Sequence, residues 1–253
     1  MRKAFAALKA ILVAQVALAC SVVCQAQSPA GSATPSESCL EFKTGLSLGA
    51  QLPYTKAKLQ KGQRLTVVAF GSSSTTGFGT FGFGDTFPDV MKQELLRLRP
   101  SAKIELINSG RIMDDLEDNI ARMDGDVLQH RPDLVIWQLG TNDAVWRGIA
   151  DNANVILGNA VKQIKDAGAD VILLDLQYTP LVLATGRYAQ MEKIIADVAR
   201  QQKVGQFPRF LLMKRAIEGG VTGLVSWDGL HNSAEGYKCV GLALGQMIDA
   251  QAR

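Results

Sequence analysis

Five short apolar runs, separated by helix-patterned stretches, constrain this sequence more than any other feature. They occupy residues 65–70, 103–108, 133–139, 170–176 and, more weakly, 209–213. Each is rich in Val, Ile or Leu and reads as apolar on both faces, the pattern of a strand covered by helices on either side. Helical periodicity fills the intervals near residues 85–98, 113–130, 152–167 and 187–203, and a last helix starts after Asn232. Strand and helix alternating in this way predict an α/β protein: a flavodoxin-like three-layer α/β/α sandwich on a parallel sheet of about five strands.

At 253 residues, 47% hydrophobic and 20% charged, the chain is long enough for one such domain with a sizeable core. Its first residues follow a different logic. Arg2 and Lys3 precede an apolar run over 10–19 and a small-residue site at Cys24-Gln-Ala26, which reads as a secretory signal peptide over 1–26. The run is shorter than the roughly 20 residues of a spanning helix, and no transmembrane segment is expected in the mature chain. The competing reading is a lipoprotein signal, with Cys20 as the lipidated residue after Ala17-Leu-Ala. Residues 27–38, QSPAGSATPSES, read as a flexible linker, so the folded domain is expected over 39–253.

Export changes the charge balance. The chain carries 27 basic and 24 acidic side chains, and loss of Arg2, Lys3 and Lys9 with the signal leaves 24 against 24. A neutral mature protein has no nucleic-acid footprint. Of four cysteines, Cys39 and Cys239 remain, and an oxidising compartment predicts that they pair.

Ligands of open parallel sheets bind beyond the carboxyl ends of the strands. There the sequence places Gly71-Ser-Ser-Ser-Thr-Thr-Gly77, Asn108-Ser-Gly110, Gly140-Thr-Asn-Asp143 and Gln177-Tyr-Thr-Pro180. Such residues also serve as ordinary turns and caps. More informative is Ser226-Trp-Asp-Gly-Leu-His-Asn232, just before the last helix. The chain has two histidines, and His130 lies at the amino end of the third strand, away from this edge. His231 follows Asp228 by three residues, close enough for the carboxylate to accept a hydrogen bond from the ring.

Taken in order, Gly71-Ser-Ser73 with Gly77, Asn108 to Met113, Gly140-Thr-Asn142-Asp143 and Asp228-Gly-Leu-His231 resemble the four blocks of the SGNH/GDSL hydrolase superfamily, in an exported bacterial branch. The resemblance implies a cofactor-free serine esterase or lipase-like enzyme acting on a small-molecule or carbohydrate-borne acyl ester. It implies Ser73 as nucleophile, His231 as its base and Asp228 as the residue orienting His231. It implies an oxyanion hole built from the N–H of Ser73, an N–H of the second block and the side-chain amide of Asn142. Trp146 and Tyr178, beyond strand ends, are candidate pocket walls.

Two positions depart from the family pattern. Ser72 stands where Asp is frequent, and Met113 stands where the second block usually has glycine, leaving Gly110 and Met113 as rival oxyanion donors. Other readings stay open: an O-acetyltransferase of the same fold, or a phosphate-binding module whose Ser/Thr/Gly loop cradles an anion. The spacing fits an α/β-hydrolase elbow poorly, because Thr75 stands where that motif has glycine. Two distant histidines make no zinc site.

Overall fold

The computed structural model describes Cys39, Phe42, residues 47–80 and residues 85–253. The expected signal peptide and linker, with Cys20, lie outside those residues. Strands β1 (Arg64–Gly71), β2 (Lys103–Gly110), β3 (Leu134–Gln138), β4 (Asp170–Leu174) and β5 (Gly205–Phe207) form one parallel sheet in the order β2-β1-β3-β4-β5. The chain starts near the middle, moves outward to β2, then crosses back to β3. The carboxyl ends of β1 and β3 therefore flank a topological switch point, where crossover connections diverge and leave a crevice.

The described helices are α1 (Pro53–Gln60), α2 (Ser73–Thr76), α3 (Phe87–Leu98), α4 (Leu116–Asp126), α5 (Ala153–Asp166), α6 (Pro180–Ala184), α7 (Tyr188–Gln202), α8 (Arg209–Glu218) and α9 (Ala234–Gln251). Alternation along the strands sorts the core into two layers. Leu65, Val67, Leu134 and Ile136 pack with α3, α8 and α9 through Met91, Leu95, Leu212, Met213, Val240 and Leu244. Val68, Phe70, Val135 and Trp137 face the opposite way and meet α4, α5 and α7 through Met123, Leu157, Val161, Met191 and Ile195. Each such side chain contributes about 1.5–3 kcal/mol on full burial. Capping boxes start α3 and α4: Thr86 accepts from the N–H of Asp89, and Asp115 from that of Asp118. None of the described helices is long and apolar enough to cross a membrane.

Two sequence expectations are corrected. Residues 209–213 open α8 instead of forming a strand, and the fifth strand is the shorter Gly205–Phe207. Pro208 cannot donate to a ladder and precedes α8, whose buried Arg209, Leu212, Met213 and Ala216 follow the i, i+3, i+4, i+7 spacing of a helix. Strand β2 is also not covered on both faces, because it is an edge strand and stays half exposed. Cys39 and Cys239 form the disulfide, joining positions 200 residues apart against the α9 side of the core.

Candidate active site

The loop after β1 turns at once into α2, with Ser72 as its N-cap residue and Gly77, at φ 83°, closing it in the left-handed conformation. This abrupt turn lifts Ser73 to the first helical position. Its N–H is one of the orphan donors of a helix start, and it has no protein acceptor among the described residues. Ser72 and Thr75 turn inward: the hydroxyls of both donate to Oε1 of Gln138, at 2.9 and 3.1 Å. Those hydroxyls are thus committed, which removes them from a phosphate cradle. Gln138, buried at the end of β3, belongs to none of the four sequence blocks. Its signal is a polar side chain closing an otherwise apolar strand.

Ser73 Oγ lies 2.8 Å from Nε2 of His231, and Nδ1 of the same ring lies 2.6 Å from Oδ2 of Asp228. Asp228 Oδ1 accepts the N–H groups of Leu230 and His231, at 3.0 and 2.9 Å. Partial burial works against the charge of Asp228, but these N–H donors and the imidazole outweigh it and hold the carboxyl below its ordinary pKa. An ionised Asp228 can only accept, so Nδ1 carries the proton and Nε2 of a neutral ring presents its lone pair to Ser73. Gln177, in the segment that follows β4, fixes the loop, its Nε2 donating to Leu230 O at 2.9 Å while its Oε1 accepts from Thr141.

The second and third blocks converge on the same place. Asn142 Nδ2 donates to the carbonyl of Asp114 at 2.7 Å, which uses one of its two amide hydrogens and leaves the other. The rival donors separate clearly. Gly110 N–H is taken by Asn108 Oδ1 at 3.1 Å, and a Cβ at Gly110 would stand 2.7 Å from Thr76 N, so this glycine serves close packing of β2 against α2. Met113 has φ 70°, the left-handed backbone that a glycine would adopt without strain, and its N–H has no protein acceptor among the described residues. The loop keeps its geometry although the side chain costs about 1–2 kcal/mol there. Asp143 turns away: Oδ1 accepts the N–H of Leu116, and burial first, then the Asp115 and Glu117 carboxylates, raise its pKa to about 6.

Ser73, Asn142, Asp228 and His231 open into a cleft of about 230 Å³ walled by Phe78, Ile112, Met113, Trp146, Leu181 and Leu230. Phe78 packs on the imidazole, with ring centroids 4.8 Å apart. Trp146 thus borders the cleft and Tyr178 does not, because Tyr178 packs edge-on against Phe210 and reaches Glu218. Phe78, Ile112 and Leu181 carry no signal as cleft walls in the sequence, where ordinary core residues look the same, and Met113 is a wall as well as a backbone donor. His130 is exposed at the opposite end of β3.

Known proteins of similar sequence or fold include esterases and a lipase/acylhydrolase. The chain is 30% identical over 159 residues to an arylesterase of Vibrio mimicus, covering 61% of this chain and 74% of that one. In fold it resembles the lipase/acylhydrolase of Enterococcus faecalis, with TM-score 0.61, 24% identity and coverage of 74% and 96% of the two chains. It also resembles Axe2, an acetylxylan esterase of Geobacillus stearothermophilus, with TM-score 0.63, 20% identity and coverage of 73% and 94%. The model of one family matches residues 38–253, nearly everything beyond the N-terminal segment, and the chain belongs to that Non-GDSL lipase-like family.

Proposed function

We propose that this protein hydrolyses carboxylic esters through an acyl-enzyme on Ser73. One observation carries the reading: a continuous chain from Ser73 Oγ through the His231 ring to Asp228, opening into an apolar cleft. As Oγ attacks the ester carbonyl, its proton passes to Nε2, and Asp228 stabilises the imidazolium that results. The carbonyl oxygen, now an alkoxide, accepts from the N–H groups of Ser73 and Met113 and from the free amide hydrogen of Asn142. Collapse of this intermediate expels the alcohol, which takes the proton from Nε2. Water then attacks the acyl-enzyme with His231 again as base, releasing the acid and restoring Ser73.

Esterase and lipase names among the similar proteins support an ester substrate. The walls of Phe78, Ile112, Met113 and Leu181 suit an uncharged acyl group. The protein is exported in this reading, with residues 1–26 removed, and the Cys39–Cys239 disulfide accords with an oxidising compartment. The test is hydrolysis of p-nitrophenyl acetate and butyrate by the mature protein and by Ser73→Ala. Turnover by the parent and a loss of about 10³-fold or more in the variant support the reading. Equal rates overturn it.

A further inference from the structure

We infer that Arg122, on α4 and outside the cleft, is a positioning residue that sets the oxyanion donors; this rests on the esterase reading above. Its side chain is only 8% exposed and its guanidinium spans three separate parts of the site. Nε donates to Asp114 Oδ2 at 2.5 Å, and Nη2 donates to Gly71 O at 2.8 Å. Nη1 donates to Ser109 O and to Asp126 Oδ2, both at 2.8 Å. The guanidinium lies 4.4 Å from the centroid of Phe70. One planar group therefore grips the end of β1 two residues before Ser73, the end of β2, and the loop that follows it.

Asp114 is the junction. It directly follows Met113, its carboxylate is held by Arg122 and by Asn119 Nδ2 at 3.1 Å, and its carbonyl holds Asn142 Nδ2. Two of the three oxyanion donors, Met113 and Asn142, are thus fixed through Asp114, and the third, Ser73, through Gly71. Met113 sits at φ 70°, a conformation that persists in a residue with a side chain only where its surroundings over-determine it. Where the family pattern has glycine, the loop needs less restraint. In this chain the Arg122–Asp114 pair supplies it.

Arg122→Lys keeps the charge but loses the planar fork that reaches several acceptors at once. Asp114→Asn keeps the carbonyl that holds Asn142 and removes the ion pair. Both are assayed with p-nitrophenyl butyrate and with butaneboronic acid, whose tetrahedral serine adduct occupies the oxyanion site. Misplacement by about 1 Å costs on the order of 10²-fold, so kcat should fall about 10- to 100-fold in Arg122→Lys with KM within about threefold. The inhibition constant of butaneboronic acid should rise in proportion to the loss of kcat. A purely structural role would lower the melting temperature without moving this analogue-to-substrate ratio. Unchanged kcat and boronate affinity in a folded Arg122→Lys overturn the inference, and Asp114→Asn decides it by the same readouts if Arg122→Lys does not fold. A parent protein inert to both ester and boronic acid overturns the esterase reading and this inference together, whereas an active parent with indifferent variants overturns this inference alone.

Discussion

Oε1 of Gln138 accepts both the backbone N–H and the hydroxyl of Ser72, at 3.0 and 2.9 Å. Thr75 adds a third donor to the same oxygen, so one buried atom fixes the turn that presents Ser73. Gln138→Leu would keep the strand apolar but strand three buried donors. An unsatisfied buried donor costs about 1–3 kcal/mol, and partial relaxation should bring the total loss of stability to about 2–4 kcal/mol, read by urea unfolding. Activity of the folded fraction should fall as well, because the serine loses its support.

Met113 gives a second prediction. Met113→Gly removes the strain at φ 70° and should keep kcat within about threefold. It also removes a wall of the cleft, so KM for a butyrate ester should rise more than KM for acetate. Met113→Val places a β-branched residue at positive φ and should lower kcat about tenfold or more. Steady-state kinetics on the two esters separates these effects.

The Cys39–Cys239 bridge closes a loop of 200 residues. In the chain-entropy model a loop of this size stabilises by about 5 kcal/mol. Cys239→Ala, or dithiothreitol treatment of the parent, should lower the melting temperature by roughly 10–20 °C. The site does not contain the bridge, so the activity of the folded fraction at low temperature should be retained.

Stability should also depend on pH through Glu192. Its carboxyl is pushed up to about 9, chiefly by burial and then by the neighbouring Asp175 carboxylate, while Leu176 N–H opposes the shift. The folded state therefore keeps a proton that the unfolded chain releases above its ordinary value of 4.5. Stability should decline as pH rises from about 4.5 to about 9. Glu192→Gln retains a donor without the titration and should flatten this slope, with its largest stabilising effect near pH 9. Melting temperatures across pH, parent against variant, provide the check.

The layers of the fold were legible because buried parallel strands are apolar on both faces and their helices keep a 3.6-residue period. Residues 209–213 misled for a physical reason: a five-residue apolar run fits a strand or one helix turn, and Pro208 was the signal that decides. The polar constellation was legible through Asp228 and His231, since a rare histidine near a carboxylate stands out in the loop before the last helix. Gln138 and Arg122 were not, because one accepts from the turn that presents Ser73 and the other donates to carbonyls and carboxylates that only the folded chain brings together. Met113 broke the expected pattern in identity while its backbone kept the left-handed conformation.

The pairing of Ser73 with His231 is the central claim, and covalent labelling tests it most directly. The protein without residues 1–26 is treated with a fluorophosphonate, digested, and mapped by mass spectrometry. A single adduct on Ser73 is expected, absent from Ser73→Ala and much slower to form in His231→Ala, which lacks the base. An adduct on Ser72 or Ser74, or no adduct in a folded and esterolytic parent, would contradict the account.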